Sequence, residues 1–190
     1  MITLLFLSII FLLHFQIDKV SEYFLQFKTI SSSLVIESLK NSEYIQLIRI
    51  FTFNLFHKDL NHLLMNSIGL INYGTALERY FKKYSIMLFP KVFFLLMFLS
   101  GTLTVLINYL IYLLYNNVNI YNQTVCGLSG VLFGLQFIYN YLFYNDFYMA
   151  AKIITASIFY VHLFFPDTSL VGHLSGFASG IIVSTMIKSN

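Results

Sequence analysis

The chain has 190 residues, of which 58% are hydrophobic and 10% are charged, and its formal net charge is +3. A mean hydropathy of +0.76 is incompatible with a soluble globule of this size, so the composition predicts a polytopic membrane protein. The Lys and Arg residues are too few and too scattered to form a nucleic-acid surface, and we interpret them as topology signals. The single cysteine, Cys126, excludes an internal disulfide.

Six apolar segments are predicted to span the membrane, since a span needs about 20 mostly apolar residues. In chain order they cover residues 2–17, 60–77, 86–115, 125–143, 147–165 and 170–187. The first lacks a basic flank and is interpreted as a retained helix, although a cleaved signal sequence stays open. No repeat or linker divides the chain, so a single domain over residues 1–190 is expected.

Residues 18–49 mix eight charged residues with apolar clusters. This pattern predicts a long first loop at the membrane interface with amphipathic pieces. Other basic residues follow the second span, at Arg79, Lys82 and Lys83, whereas the loops after the third and fifth spans contain none. By the positive-inside rule, both termini are expected in the cytoplasm, although the basic residues of the first loop oppose this orientation.

Two glycine-rich segments place a serine and a histidine on separate spans. Ser129 lies in CGLSGVLFG, residues 126–134, and His173 lies in GHLSGFASG, residues 172–180. Small residues spaced by three and four let membrane helices approach closely. Close approach is what a serine–histidine hydrogen bond of about 2.6–3.2 Å requires. The two segments therefore predict a nucleophile and its base inside a bilayer.

A polar pair lies near the start of the second span. His62 and Asn66 are four residues apart, so they lie one above the other on one helix face. With six spans, this pair, Ser129 and His173 all fall at a similar shallow depth on the non-cytoplasmic side. The four polar groups are therefore predicted to converge where water can enter.

These residues resemble the rhomboid intramembrane serine proteases. The similarity rests on GLSG at residues 127–130, on GH at residues 172–173 followed by Gly176 and Gly180, and on HLLMN at residues 62–66. Four further residues that rhomboids commonly share are His57, Gly74, Glu78 and Gly101. The resemblance thus covers about residues 53–187, with three motifs in the family's order.

The resemblance implies an all-α bundle of six transmembrane helices with a Ser–His dyad. In that dyad Ser129 would attack the scissile carbonyl and His173 would accept and return the proton. The Ser129 backbone N–H and the side chains of His62 and Asn66 would form the oxyanion hole. Phe133, one turn below the serine, is expected to stack on the imidazole. Glycines expected to support the site are Gly127, Gly130 and Gly176.

The expected partners are the lipid bilayer and single-span transmembrane substrates, cleaved at or just within the membrane boundary. No cofactor, metal or nucleic acid is expected, because His57 and His62 lack the intervening glutamate of the HExxH zinc motif. The open alternative is a rhomboid-like pseudoprotease that binds transmembrane clients without cutting them. A channel or transporter is disfavoured, since the spans lack paired charges and inverted repeats.

Some residues depart from the family pattern or lack a motif. The chain has no Trp, so the Trp-Arg pair that many rhomboids carry in the first loop is absent, and the fold of that loop is not predicted. His14 and His162 have no partner motif and are interpreted as packing or interface residues. Cys126 is interpreted as a small packing residue and not as a thiol nucleophile.

Overall fold

The computed structural model describes residues 1–16 and 25–188 of the chain. In these residues the secondary structure is helical apart from an isolated antiparallel bridge between Ile30 and Val125. The α-helices are α1 (Ile2–Phe15), α2 (Ser32–Lys40), α3 (Arg49–Thr52), α4 (Leu60–Gly69), α5 (Thr75–Lys82), α6 (Leu88–Tyr115), α7 (Val118–Asn122), α8 (Ser129–Tyr144), α9 (Phe147–Phe164) and α10 (Leu170–Lys188). Helices suit an apolar chain because they satisfy their own backbone hydrogen bonds within lipid.

Within the described part of the chain, three helices are long and apolar enough to cross a membrane: Leu88–Tyr115, Phe147–Phe164 and Leu170–Ile187. A shorter apolar helix covers Ile2–Phe15. These four helices agree closely with the predicted third, fifth, sixth and first spans. The protein is therefore an integral membrane protein with several spans. The predicted end of the first span, at residue 17, and the first part of the interfacial loop lie outside the described residues.

The second predicted span is part of a longer helical rod. Helices α4 and α5 are joined by a π-helical turn, Leu70–Gly74, and the backbone stays helical at both junctions. Beyond this turn, the Glu78 carboxylate accepts hydrogen bonds from the N–H groups of Ile2 and Thr3, at 2.7 and 3.2 Å, and from the Thr3 hydroxyl at 2.7 Å. Glu78 thereby caps the start of α1 and joins α1 to α5.

The helix of the fourth predicted span begins later than expected. The prediction started at residue 125, but α8 begins at Ser129. Val125 pairs with Ile30 in the first loop, and Gly127 has a φ of 109°, in a region that favours glycine. The chain therefore reaches Ser129 in a non-helical conformation, because its backbone bonds to a distant loop and a left-handed glycine interrupts helical geometry.

The first loop is organised around a buried arginine. Arg49 donates from Nε to the Gln46 side-chain oxygen at 2.7 Å and from Nη1 to the Thr29 carbonyl at 2.9 Å. Its guanidinium also lies 5.4 Å from the centre of the Phe27 ring. Helix α2, the predicted amphipathic piece, packs against α6 through a hydrogen bond from Ser32. Arg49 thus holds the loop together in a chain without Trp.

The two glycine-rich segments face each other. Helix α10 packs mainly against α8 and α6, and its glycines interleave with those of α8. A Cβ atom built on Gly180 would lie 2.8 Å from the Gly134 carbonyl oxygen, and one on Gly130 would lie 3.2 Å from the Gly172 carbonyl oxygen. Backbones this close leave no room for side chains between them, as in other small-residue contacts of membrane helices.

Candidate active site

Ser129 is the first residue of α8. The residue before it, Leu128, provides no side-chain cap, so the first turn of the helix keeps free N–H groups and a positive dipole end beside the serine. The segment before the serine is held by backbone hydrogen bonds. Ile30 and Val125 exchange two of them, at 2.9 and 2.8 Å, and Gly127 N–H donates to the Phe53 carbonyl at 2.9 Å. The chain between α1 and α4 thus fixes the position of Ser129.

Ser129 and His173 meet across the glycine contact. The Ser129 Oγ and His173 Nε2 atoms are 3.0 Å apart, although the residues are 44 positions apart in sequence. His173 lies in the first turn of α10 and is only 3% exposed. A built Cβ on Gly176 would overlap the Gly130 carbonyl, so a glycine is needed at position 176 for this approach. The distance is within the range for a nucleophile and its base.

Phe133 contacts the imidazole of His173 one turn below Ser129. The ring centres are 4.7 Å apart and the planes are inclined by 53°. The contact is tilted, whereas the sequence analysis expected stacking. Phe133 is itself buried, so it supports one face of the His173 ring with an apolar surface.

His162 is within hydrogen-bond distance of the other ring nitrogen of His173. Its Nε2 atom is 3.1 Å from His173 Nδ1, and the two ring centres are 5.1 Å apart. The sequence favours a packing or interface role for His162, and the structure places its ring beside that of His173. A signal was present in the sequence: His162 lies near the end of one predicted helix and His173 near the start of the next. A tight helical hairpin brings such positions to the same depth.

His62 and Asn66 lie on α4, facing the segment before Ser129. A Cβ built on Gly127 would lie 2.5 Å from His62 Cε1, 2.7 Å from His62 Nε2 and 3.5 Å from Asn66 Nδ2. Asn66 is 4% exposed, and its Nδ2 atom is buried with no hydrogen-bond partner among the described residues. Because Gly127 has no Cβ, the side-chain nitrogens of His62 and Asn66 can approach the segment before Ser129.

His57 lies just before α4 and packs edge-on against His62. Their ring centres are 5.1 Å apart and their planes are inclined by 72°. Burial lowers the pKa of His57 to about 3, and neighbouring His62 adds to this shift. His57 is therefore neutral at pH 7 and supports the His62 ring as a packing group.

A cavity of about 1000 Å³ connects these side chains. It lies between α4, α8 and α9, and Ser129, His173, His62 and Asn66 all line it. Its deeper part reaches Gln136, two turns below the serine, whose Nε2 donates to the Ser157 hydroxyl of α9 at 3.0 Å. A cavity of this volume is at the upper end of the usual range for ligand sites. Ser129 is thus accessible from a space large enough for a peptide segment.

Comparisons with known proteins agree with the motifs. Residues 44–190 match the family model of the rhomboid domain. The chain is also similar to "Rhomboid-like protein 14, mitochondrial" of Arabidopsis thaliana, with 29% identity over 141 residues. That alignment covers 70% of this chain and 41% of the relative, so the chain spans about two fifths of that protein's length. The match includes all three motifs of the sequence analysis, and the chain belongs to the rhomboid family.

Proposed function

We propose that this protein is an intramembrane serine endopeptidase that uses Ser129 and His173 as a catalytic dyad. The observation that carries the proposal is the 3.0 Å distance between Ser129 Oγ and His173 Nε2 at the edge of a large cavity. The serine hydroxyl donates to Nε2, loses its proton to the imidazole and attacks the scissile carbonyl. The imidazolium returns the proton to the leaving amine as the C–N bond breaks, which leaves the acyl group on Ser129 Oγ. His173 then takes a proton from a water molecule, the water attacks the acyl carbonyl, and the imidazolium returns the proton to Ser129 Oγ as the carboxylic acid product leaves.

The proposed oxyanion hole consists of the Ser129 N–H and the side chains of His62 and Asn66. Three observations support it: the serine N–H is at a helix start, both side chains lie against Gly127, and the Asn66 amide nitrogen has no protein partner among the described residues. Donors fixed before the reaction stabilise the negative charge that develops on the carbonyl oxygen.

The Asn66→Ala variant tests this assignment. We expect kcat to fall by on the order of 10²–10³, with little change in KM, because the lost donor acts on the transition state. The measurement is steady-state cleavage kinetics together with the thermal unfolding temperature. The matched control is Asn140→Ala, because Asn140 is also a buried asparagine but bonds to its own helix. An Asn66→Ala variant that merely unfolds would contradict the oxyanion role.

We infer a bundle of six spans from the arrangement of the helices. Helices α6, α9 and α10 are candidate spans. Helix α1, the rod of α4 and α5, and helix α8 would supply the other three spans. Helix α8 has 16 residues, which corresponds to about 24 Å at 1.5 Å per residue. With six spans and basic residues after the second, both termini would lie in the cytoplasm.

The substrate class follows from the position of the cavity. The proposed substrates are single-span transmembrane proteins, since the cavity lies between helices and its wall includes apolar residues of α9 such as Val161 and Phe164. A scissile bond must leave its helix to reach Ser129, so segments that unwind easily would be preferred.

The direct test is cleavage of a fluorescent single-span reporter by the purified, reconstituted protein. We expect two products whose masses identify one cleavage site near the end of the span, and no cleavage by the Ser129→Ala control. A fluorophosphonate probe should also label the wild type at Ser129. Folded wild-type protein that binds several reporters, cuts none of them and resists the probe would instead identify a client-binding pseudoprotease.

A further inference from the structure

His162 is a half-buried neighbour of the proposed dyad and belongs to none of the three motifs. It lies in the last turn of α9, and its Nε2 atom is 3.1 Å from His173 Nδ1. We propose that His162 is a positioning residue, which holds His173 in the orientation and tautomer that accept the Ser129 proton. The inference rests on the proposed dyad and adds a third member to it.

The hydrogen bonds fix where each proton lies. His173 Nε2 must be unprotonated to accept from the Ser129 hydroxyl, so the neutral ring carries its proton on Nδ1. That N–H donates to His162 Nε2, which must also be unprotonated, and His162 therefore carries its own proton on Nδ1. The two hydrogen bonds thus point in the same direction: Ser129 donates to His173, and His173 donates to His162.

The same arrangement stabilises the charged intermediate. When His173 accepts the serine proton, it becomes an imidazolium with two N–H donors. Its Nδ1–H continues to donate to neutral His162, and the bond becomes charge-assisted, which strengthens it. No proton passes to His162, and when His173 returns its proton to the leaving amine the original tautomer is restored.

No carboxylate takes this role among residues 1–16 and 25–188. Asp167 lies in the turn between α9 and α10 and lines the same cavity, but neither ring of the histidine pair forms an ion pair or hydrogen bond with it. The contact of Phe133 with His173 is apolar and cannot select a tautomer. His162 is therefore the residue that can fix the His173 proton on Nδ1.

Two substitutions separate hydrogen bonding from packing. His162→Gln keeps a side-chain oxygen that can accept from His173 Nδ1, whereas His162→Phe keeps the ring volume and removes the acceptor. We expect the Phe variant to lower kcat by about 10- to 100-fold, as for a lost hydrogen bond to a charged group, with KM within about threefold of wild type. The Gln variant should retain most of kcat. If His162 only fills space, the Phe variant should instead have the higher kcat, because Phe replaces the volume of the histidine ring better than Gln does.

The experiment measures reporter cleavage in liposomes and the rate at which a fluorophosphonate labels Ser129, each per folded protein. His14→Phe, a histidine of α1, serves as the matched control. Should the Phe variant not fold, His162→Leu removes the acceptor in the same way. The probe rate is expected to fall in parallel with kcat, because it reports the serine without requiring a transmembrane substrate.

The outcomes separate this inference from the proposed function. If wild type neither cleaves nor reacts with the probe, the dyad itself is wrong and the inference falls with it. If wild type is active and both His162 variants match it, only the role of His162 is overturned. An active Phe variant with an inactive Gln variant would likewise overturn it and identify His162 as a packing residue.

Discussion

Replacing Gly176 with alanine is expected to separate α8 from α10 and to abolish cleavage. The added Cβ would overlap the Gly130 carbonyl and lie 2.7 Å from the Gly130 Cα atom. These are backbone atoms that cannot rotate away, so the helices must move apart. A hydrogen bond that is 3.0 Å long in the native protein would then be stretched beyond useful length. Overpacking of this kind typically costs about 1–3 kcal/mol of stability.

The measurement pairs reporter cleavage with the thermal unfolding temperature of the purified variant. Gly172→Ala is the matched control for stability, because it lies on the same helix and its added Cβ would meet no atom closer than 3.3 Å, the Ser169 hydroxyl oxygen. That control should unfold near the wild-type temperature. A Gly176→Ala variant with wild-type stability and turnover would show that the close helix contact is not required.

Removal of either dyad side chain should eliminate turnover. We expect Ser129→Ala and His173→Ala each to lower kcat by on the order of 10⁴–10⁶, as in serine proteases whose nucleophile or base is removed. The double variant should be no slower than the single variants. Nucleophile and base act as one unit, so removing the second has no further effect once the first is lost.

The check is a double-mutant cycle on kcat, with unfolding temperatures recorded for all four proteins. Ser179→Ala is a suitable control, since Ser179 is a fully buried serine of α10 whose hydroxyl bonds to its own helix. If the losses from the two single variants multiplied in the double variant, Ser129 and His173 would act independently and the dyad assignment would fail.

The helices were predictable where the chain is continuously apolar. Leu88–Tyr115 and Phe147–Phe164 each differ from the prediction by two residues or fewer at either end, because length and apolar content alone decide such segments. Residues 125–128 were predicted as helix and are not helical. Their conformation depends on hydrogen bonds to Ile30 and Phe53, far away in sequence, which no local pattern encodes.

The contacts of the candidate site were predictable to different extents. The contact between Ser129 and His173 could be predicted because glycines mark the close approach that it needs. The contact of His162 with His173 was not predicted because it forms across a helical hairpin, where the one signal is the position of the two histidines at adjacent helix ends. Arg49 shows a similar limit: its role in the first loop depends on Thr29 and Phe27, which only the fold brings beside it.

The loose packing of α9 against the rest of the protein makes the candidate active site sensitive to the surrounding lipid. Only 17% of the α9 span is buried within the protein, against 44% for α10. If α9 crosses the bilayer, most of its surface outside the cavity is available to lipid, and we expect lateral pressure from the bilayer to help keep His162 against His173. The surrounding lipids would then form part of the wall of the proposed catalytic centre, so turnover should depend on acyl-chain length and on the choice of detergent.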